Sequence, residues 1–287
     1  MFVVMGATGH IGGTVADTLL ARGEDVLILT RDPEHATAWR DKGASVANVD
    51  AEDPASLRYA FRKADRAFLL NPPANPSGNT DEVERRTIAN ILEALEGSGL
   101  EKVVAASTYG AQPGDAIGDL STLWLLEEGL TRQSIPAAIN RGAYYMTNWL
   151  GFGDMVRRSG TLPSMFPADT CMPMVAPADL GRAAAERLLA SVSDTAVRYV
   201  EGPERYTPQD VADAFASALG RDVVVQVAPR EQWETVYQDA GFSPEAARAY
   251  AKMTAVSLDQ DFDKPRSPMR GTTPLGELIA AAVIAHC

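Results

Sequence analysis

The chain has 287 residues, 46% of them hydrophobic and 22% charged, which is typical of a folded globular protein. Its formal net charge of −12 and the absence of a lysine- or arginine-rich run argue against a nucleic-acid partner. No apolar stretch approaches the roughly 20 residues of a membrane-spanning helix, and two cysteines, Cys171 and Cys287, cannot build a disulfide framework, so we expect a reduced cytoplasmic protein without a membrane partner.

Short apolar runs alternate with helical patterns through the first half of the chain. The predicted strands are FVVM, DVLILT, SVANVD, RAFLLN, KVVAAS and PAAINR, and helical patterns lie between them. This order is typical of βαβ units around a parallel sheet. Because the strands are almost continuously apolar, helices should cover both faces. We therefore predict an α/β fold, a doubly wound parallel sheet of the Rossmann type, over residues 1–150.

The second half has a different pattern. Residues 160–181 are rich in proline and methionine and predict a loop region, and residues 177–192 predict a helix that packs back on the first domain. Further strands are predicted at 196–200 and 222–227, and further helices at 207–220 and 230–258. We expect residues 151–287 to form a smaller α+β cap that covers the substrate, built on the sheet rather than folded independently.

The first predicted strand leads into the glycine-rich turn GATGHIG. Gly6 permits a sharp exit from the strand, Gly9 lets the backbone approach a diphosphate, and Gly12 lets the following helix pack closely on the strand. The helix N-terminus would present its N–H groups to the phosphates. A merely structural turn is the alternative, but it would need only one glycine. The turn therefore predicts dinucleotide binding, with contacts from Gly6, Thr8, Gly9, His10, Ile11 and Gly12.

The spacing G-x-x-G-x-x-G differs from the G-x-G-x-x-G of most dehydrogenases. With LTRDP, AFLLNPPA, AASTYGA, INRGAYYMTNW, VAPADLGRAAAERLL and the segment from YVEGPERY to GRDVVV, it resembles the NmrA-like and isoflavone-reductase-like branch of the short-chain dehydrogenase superfamily. The resemblance covers essentially the whole chain. It implies an NAD(P)-binding Rossmann domain, and it implies that Asp50 flanks the adenine.

The end of the second predicted strand indicates which nucleotide binds. An NAD-selective site carries a carboxylate there, whereas this chain has Thr30 and Arg31. A guanidinium attracts a 2′-phosphate and can stack on adenine, so the pair favours NADP over NAD. Asp32 weakens the argument, although we expect it to cap the next helix. The alternative for Arg31 is a solvated loop arginine.

The Tyr-x-x-x-Lys pair of most short-chain dehydrogenases is missing where it is expected. Tyr59 and Lys63 match its spacing, but they precede the fourth strand and lie far from the expected nicotinamide site. No lysine occurs between Lys102 and Lys252, and Glu127 and Glu128 stand in the relevant helix instead. Carbonyl reduction by the Tyr–Lys mechanism is therefore disfavoured. The three histidines, His10, His35 and His286, are too scattered for a metal site.

Hydride transfer needs position and polarity from the protein rather than that pair. The candidates for proton assistance are Ser107, Tyr109, Tyr144 and Tyr145. The alternatives are that Ser107 contacts the cofactor and that the tyrosines are pocket walls.

Ligands of open parallel sheets lie outside the carboxyl ends of the strands. Asn71, Pro72 and Pro73 would line this edge as cofactor contacts, with Ser107 beside them. Residues 142–152 and 162–175 would cover this edge with aromatic and methionine side chains. They indicate an apolar, aromatic substrate. The equally open alternative is that they join the cap to the core. The prolines at positions 72, 73 and 76 suggest a loop that closes on the ligand.

These observations favour an NADP-dependent oxidoreductase that transfers hydride to a small apolar acceptor of the quinone or enone type. The alternative is a catalytically silent NADP(H)-binding redox sensor that acts through a protein partner, which the missing lysine motivates. A carbohydrate- or flavonoid-type reductase is a weaker third hypothesis, since it needs a lysine that the sequence lacks at that place. The oligomeric state stays open.

Overall fold

An eight-stranded sheet, all of whose neighbouring strands are parallel, forms the centre of the computed structural model, which describes residues 1–259, 262 and 264–285. Its strands are β1 (Phe2–Val4), β2 (Val26–Thr30), β3 (Ser45–Asn48), β4 (Arg66–Leu69), β5 (Lys102–Thr108), β6 (Ala137–Gly142), β10 (Val197–Glu201) and β13 (Met269–Arg270). Their spatial order is β13-β10-β6-β5-β4-β1-β2-β3. The doubly wound parallel sheet expected from the sequence is thereby confirmed.

Helices lie on both faces of the sheet and in a smaller part of the fold. They are α1 (His10–Ala21), α2 (Thr37–Asp41), α3 (Pro54–Phe61), α4 (Thr80–Leu95), α5 (Asp119–Thr131), α6 (Gly153–Ser159), α7 (Pro177–Leu189), α8 (Pro208–Leu219), α9 (Trp233–Asp239), α10 (Pro244–Asp259) and α11 (Leu275–Ala285). Single 3₁₀ segments span Glu34–Ala36, Met146–Phe152 and Arg230–Gln232. Within the described ranges no helix is both long and apolar enough to cross a bilayer.

Side chains alternate between two cores along each strand. Phe68 of β4 packs with α1 and α7 on one face, whereas its neighbours Ala67 and Leu69 pack with α3, α4 and α5 on the other. This alternation follows from the two-residue period of a strand, and it explains why the strands are apolar throughout.

Helix α7 lies directly against α1. A Cβ atom at Gly181 would come within 2.5 Å of Thr14 Cβ and 2.6 Å of the Ile11 carbonyl oxygen. The second half of the chain also adds β10 beside β6 and β13 beside β10. Residues beyond 150 therefore extend the main sheet and one of its helical layers.

A smaller α+β part contains the remaining strands, β7 (Tyr144–Tyr145), β8 (Thr161–Ser164), β9 (Met172–Val175), β11 (Arg205–Tyr206) and β12 (Val224–Val227). They pair as β11-β9-β7 and as β12-β8. The prediction that residues 160–181 form only a loop region was wrong, because β8 and β9 lie within them. Their pairing partners, β12 and β11, come from remote segments, so no local pattern indicates them.

Candidate functional site

The glycine-rich turn carries the chain from β1 into α1. Gly6 has a φ of +67°, and a Cβ atom at Gly12 would lie 2.4 Å from the Gly6 carbonyl oxygen. Gly9 is the N-cap of α1 and, having no side chain, gives the first turn no side-chain cap. Thr8, Gly9 and His10 are exposed, whereas Ile11 is buried. The turn therefore presents exposed backbone and an uncapped helix N-terminus, which is the geometry that an anion such as a diphosphate fits.

The predicted adenosine contacts lie at the ends of β2 and β3. The Thr30 hydroxyl accepts a hydrogen bond from the Asp32 N–H at 3.1 Å, and the Arg31 side chain is exposed next to it. Asp50 is exposed after β3 and accepts the Glu52 N–H at 3.0 Å. Neighbouring strands thus bring Arg31 and Asp50 to the same edge of the sheet as the glycine-rich turn.

The side chain of Asn71, which follows β4, contains a buried hydrogen-bond acceptor. Its Oδ1 atom is buried and has no hydrogen-bond partner within the part of the chain that the structure describes. A buried acceptor without a donor is costly, so this atom indicates a ligand that supplies one. Pro72 is half-buried and Pro73 is exposed. Further along, Ser243 donates its N–H and its hydroxyl to the carbonyls of residues 76 and 78, each at 2.8 Å.

Ser107 lies near the end of β5, and its hydroxyl already has a partner. It donates a hydrogen bond to the carboxylate of Glu127, which also binds Arg141 at 2.7 and 2.9 Å. Arg141 in turn donates to the Tyr199 hydroxyl at 2.9 Å. Both Ser107 and Glu127 are buried. Since the hydroxyl proton is directed at a carboxylate, Ser107 is arranged to accept a hydrogen bond from a ligand rather than to give a proton.

The hydroxyl of Tyr109 is hydrogen-bonded within the protein and is not free to act as an acid. Its hydroxyl donates to the buried Glu201 at 2.8 Å, and its ring packs edge-on against Tyr199 with centroids 5.0 Å apart. Burial, followed by the bond to Glu201, raises the pKa of Tyr109 above its usual value. Glu201 also binds Arg205 and Arg270 at 3.0 and 2.9 Å. The hydrogen bond joins the residue after β5 to the end of β10, across β6, and leaves the phenol poorly suited to proton transfer.

Tyr144 and Tyr145 follow β6 and point into different surroundings. Tyr145 lines a small cavity with Ile11, Ser107 and Asn140, together with Phe68, Leu180 and Ala184. Tyr144 lies beside Trp149 and Phe166, with both centroid distances at 5.8 Å. Burial raises the pKa of each phenol above its usual value. Of the predicted proton donors, Tyr145 is the tyrosine that shares a cavity with the glycine-rich turn and Ser107.

The segments expected to cover the substrate contribute mainly to the core of the smaller part. Trp149, Phe166 and Met174 are buried there. A second aromatic cluster on α9 and α10 was missed by the sequence analysis. Its members, Tyr237, Phe242 and Tyr250, have ring centroids 5.0–5.7 Å apart. The only sequence signal was an aromatic spacing that equally suits a helix core.

The sequence analysis also did not identify the neighbouring carboxyl groups of Glu84 and Asp119. Glu84 of α4 is 3% exposed, and its side chain is hydrogen-bonded to Asp119 in the first turn of α5. It accepts the Thr122 hydroxyl at 3.2 Å and the Ala74 N–H at 3.3 Å. Burial and the neighbouring Asp119 raise the pKa of Glu84 to about 7. Burial thus moves the pKa of Glu84 well above the range of an exposed glutamate.

Several other candidate residues lie away from this edge or outside the described residues. Tyr59 is exposed on α3, and Lys63 Nζ sits 4.1 Å from its ring centroid. Cys171 is exposed. His286 and Cys287 lie outside the described residues. In the part of the chain that the structure describes, no group of three or more histidine, cysteine or acidic side chains is placed to hold a metal ion.

The chain is similar to known proteins over most of its length. The model of the NmrA-like family matches residues 1–267. An NAD(P)H azoreductase from Xenophilus azovorans is 23% identical over 257 residues, 90% of this chain and 87% of that protein.

Two solved structures share the fold over almost the whole chain. An Escherichia coli NADPH-dependent quinone oxidoreductase, solved with NADPH, superposes with a TM-score of 0.81 at 19% identity, covering 98% of this chain and 99% of that one. A Citrobacter sp. triphenylmethane reductase, solved with NADP(H), gives 0.81 at 21% identity with the same coverage. The family resemblance seen in the sequence motifs is confirmed by the family model that matches residues 1–267.

Proposed function

The chain belongs to the NmrA-like family, and we propose that it is an NADP-dependent oxidoreductase that transfers hydride to a small apolar acceptor of the quinone or enone type. The observation that carries the proposal is the β1–α1 turn, where exposed backbone, an uncapped helix and the closely packed Gly12 leave room for a diphosphate. The buried Oδ1 atom of Asn71 supports it, because a dinucleotide brings hydrogen-bond donors to that edge. A cytoplasmic location, suggested by the two cysteines, belongs to the same proposal.

The nucleotide is proposed to be NADP rather than NAD. Arg31 is exposed at the end of β2, where its guanidinium can bind a 2′-phosphate and no carboxylate replaces it. The azoreductase relative uses NAD(P)H by name, and the two structural relatives were solved with NADPH or NADP(H).

We propose the chemical class of the acceptor from the residues that line the site and from the names of the relatives. Those relatives are named for azo, quinone and triphenylmethane compounds. In this chain Tyr145 lines a largely apolar cavity with Ile11 and Ser107 near the carboxyl ends of the strands. Such a surface favours a flat, apolar acceptor over a sugar.

When bound, the nicotinamide supplies the hydride. The protein's contribution is to bind and orient. The first turn of α1 would hold the diphosphate, Arg31 the 2′-phosphate, and Asn71 a donor group of the ligand. Ser107 would accept a hydrogen bond from the ligand, because its own hydroxyl donates to Glu127.

The test is direct. Calorimetry should show NADPH binding more tightly than NADH, and absorbance should show NADPH oxidation with a panel of quinones and enones. Failure of both nucleotides to bind would contradict the proposal at its base. Binding without oxidation across the panel would contradict the catalytic part.

A redox sensor remains the second candidate, because one structural observation favours it. The hydroxyl protons of Ser107 and Tyr109 are both directed at carboxylates, which reduces the supply of acids at the site. A sensor should bind NADPH and NADP⁺ with different affinities, turn over no acceptor and purify with a protein partner. Turnover at ordinary enzymatic rates would remove this candidate.

A further inference from the structure

We propose that the side-chain amide of Asn140 donates a hydrogen bond to the bound nucleotide, and that the atom it binds is the carboxamide oxygen of the nicotinamide. The inference rests on the proposed function and deepens it. It assigns a nucleotide contact to a residue inside β6, a strand in which the sequence analysis predicts none.

Asn140 carries a buried hydrogen-bond donor without a partner. Its side chain is only 3% exposed, and its Nδ2 atom is enclosed with no acceptor within the part of the chain that the structure describes. An unpaired buried N–H2 group is costly. It therefore indicates an acceptor that comes from a bound molecule.

The orientation of this amide is fixed by Arg187 of α7. Arg187 donates to Asn140 Oδ1 at 2.9 Å, and a guanidinium has no acceptor, so the amide cannot turn its N–H2 group toward it. Arg187 is itself buried and is held by the Ile139 carbonyl oxygen at 2.8 Å and by the carboxylate of Asp194 at 3.1 Å. The N–H2 group therefore points away from Arg187.

The small cavity that Asn140 lines is on the same face of the sheet as this amide. Leu180 and Ala184, which precede Arg187 by about two turns and one turn of α7, line it, and so does Ala106, the partner of Asn140 in the register of β5 and β6. The cavity volume is about 10 Å³, the space of one water-sized group. A ring would lie over the cavity, and only the oxygen atom of a polar substituent would enter it.

The place of the cavity in the sheet indicates which half of a dinucleotide lies over it. Ile11, in the first turn of α1 beside the proposed diphosphate site, lines the cavity together with residues of β4, β5 and β6. The proposed adenosine contacts, Arg31 and Asp50, follow β2 and β3 on the other side of β1. A dinucleotide binds across such a sheet edge, so its nicotinamide half would lie over β4, β5 and β6.

The nicotinamide half offers the acceptor that Asn140 requires. Its carboxamide places a carbonyl oxygen on a short substituent of a flat ring, which matches a donor at the bottom of a small cavity. A hydrogen bond there would fix the rotation of the ring, so that C4 faces the acceptor in one orientation. A quinone carbonyl is the alternative source of the same chemistry, and Ile11 favours the nucleotide because it joins the cavity to the diphosphate site.

The test compares NADP⁺ with two analogues by calorimetry on the full-length protein. The pyridine analogue has hydrogen in place of the carboxamide, and the 3-acetylpyridine analogue keeps the carbonyl oxygen but lacks the amide nitrogen. We expect the wild type to bind the pyridine analogue about tenfold more weakly than NADP⁺, the scale of a hydrogen bond whose buried donor is left unpaired. The 3-acetylpyridine analogue should bind within about threefold of NADP⁺.

Asn140→Asp reverses the contact and keeps the size of the side chain. The oxygen that faces Arg187 remains, and the N–H2 group becomes an oxygen that repels a carbonyl. The three nucleotides carry the same ring charge, so the differences between their affinities report the contact, and the preference for NADP⁺ over the pyridine analogue should disappear. Asn140→Leu, which removes the donor without adding a charge, should lose the preference too. Gln226→Glu, an amide-to-carboxylate change at an exposed position of β12, is the matched control and should keep it.

Three results would overturn the inference while the proposed function stands. Equal affinities of the wild type for NADP⁺ and the pyridine analogue would leave only a water to bind Asn140. A preference retained in both Asn140 variants would exclude the contact. A raised KM for 1,4-naphthoquinone in Asn140→Leu with unchanged nucleotide affinities would assign the donor to the acceptor instead. A wild type that binds neither NADPH nor NADP⁺ would contradict the proposed function together with this inference.

Discussion

Replacing Gly12 by alanine separates the folding role of the glycine-rich turn from its binding role. The added Cβ atom would lie 2.4 Å from the Gly6 carbonyl oxygen and 2.5 Å from the Met5 carbonyl oxygen. Both contacts are with backbone, so no side chain can move aside. Overpacking of this kind costs about 3 kcal/mol, and the better helix propensity of alanine offsets about 1 kcal/mol. We expect Gly12→Ala to lower the free energy of unfolding by about 2 kcal/mol.

Gly9→Ala is the matched comparison. Gly9 has an extended backbone (φ −100°, ψ 176°), and its Cβ would meet only the Gly6 carbonyl oxygen at an ordinary 3.5 Å. The free energy of unfolding should therefore fall by less than about 1 kcal/mol, the loss of glycine at an N-cap. The new methyl group would instead occupy the exposed side of the turn, where the diphosphate is proposed to lie. NADPH affinity should fall at least about tenfold, or about 1.4 kcal/mol.

Urea unfolding without nucleotide measures the first effect, and calorimetric titration with NADPH measures the second. The expected pattern is a stability loss in Gly12→Ala and an affinity loss with near-normal stability in Gly9→Ala. A Gly12→Ala protein as stable as the wild type would refute the packing argument. Wild-type NADPH affinity in Gly9→Ala would refute the assignment of this turn to the diphosphate.

Three further predictions concern charge and protons. Arg31→Glu should weaken NADPH binding about 30-fold, since a charge-assisted hydrogen bond contributes about 2 kcal/mol. Titration with NADH should show little change in affinity. Equal weakening of the binding of both nucleotides would contradict the role of Arg31 at the 2′-phosphate. Tyr109→Phe should retain turnover but lower the free energy of unfolding by about 1 kcal/mol, because Glu201 keeps two arginine partners; a loss of turnover at constant stability would instead make Tyr109 the acid. Folding raises the pKa of Glu84 from 4.5 to about 7, so the protonated side chain should contribute its full stabilisation below pH 4.5. The free energy of unfolding should then decline by up to about 3 kcal/mol as the pH rises to about 7 and level off above that. Unfolding curves of Glu84→Gln should lack this decline.

The fold could be predicted from local patterns. Strand runs such as DVLILT and helix starts such as Asp53, which accepts the Ala55 N–H at 3.0 Å, are encoded within a few residues of one another. The glycine-rich turn is equally local, because its conformation depends on the absence of Cβ atoms at Gly6 and Gly12. The sequence by itself therefore determined the parallel sheet, its order of elements and the place where a dinucleotide is expected to bind.

The chemistry of the site was decided by tertiary structure. The sequence offered Ser107 and Tyr109 as candidate acids, but in the fold their hydroxyls donate hydrogen bonds to Glu127 and Glu201. The pairing of Glu84 with Asp119, and of β8 with β12, had no local signal at all. The physical reason is that the position of a proton and the pairing of a short strand depend on partners from remote segments and on how far water is excluded between them. Those quantities exist only once the chain is folded.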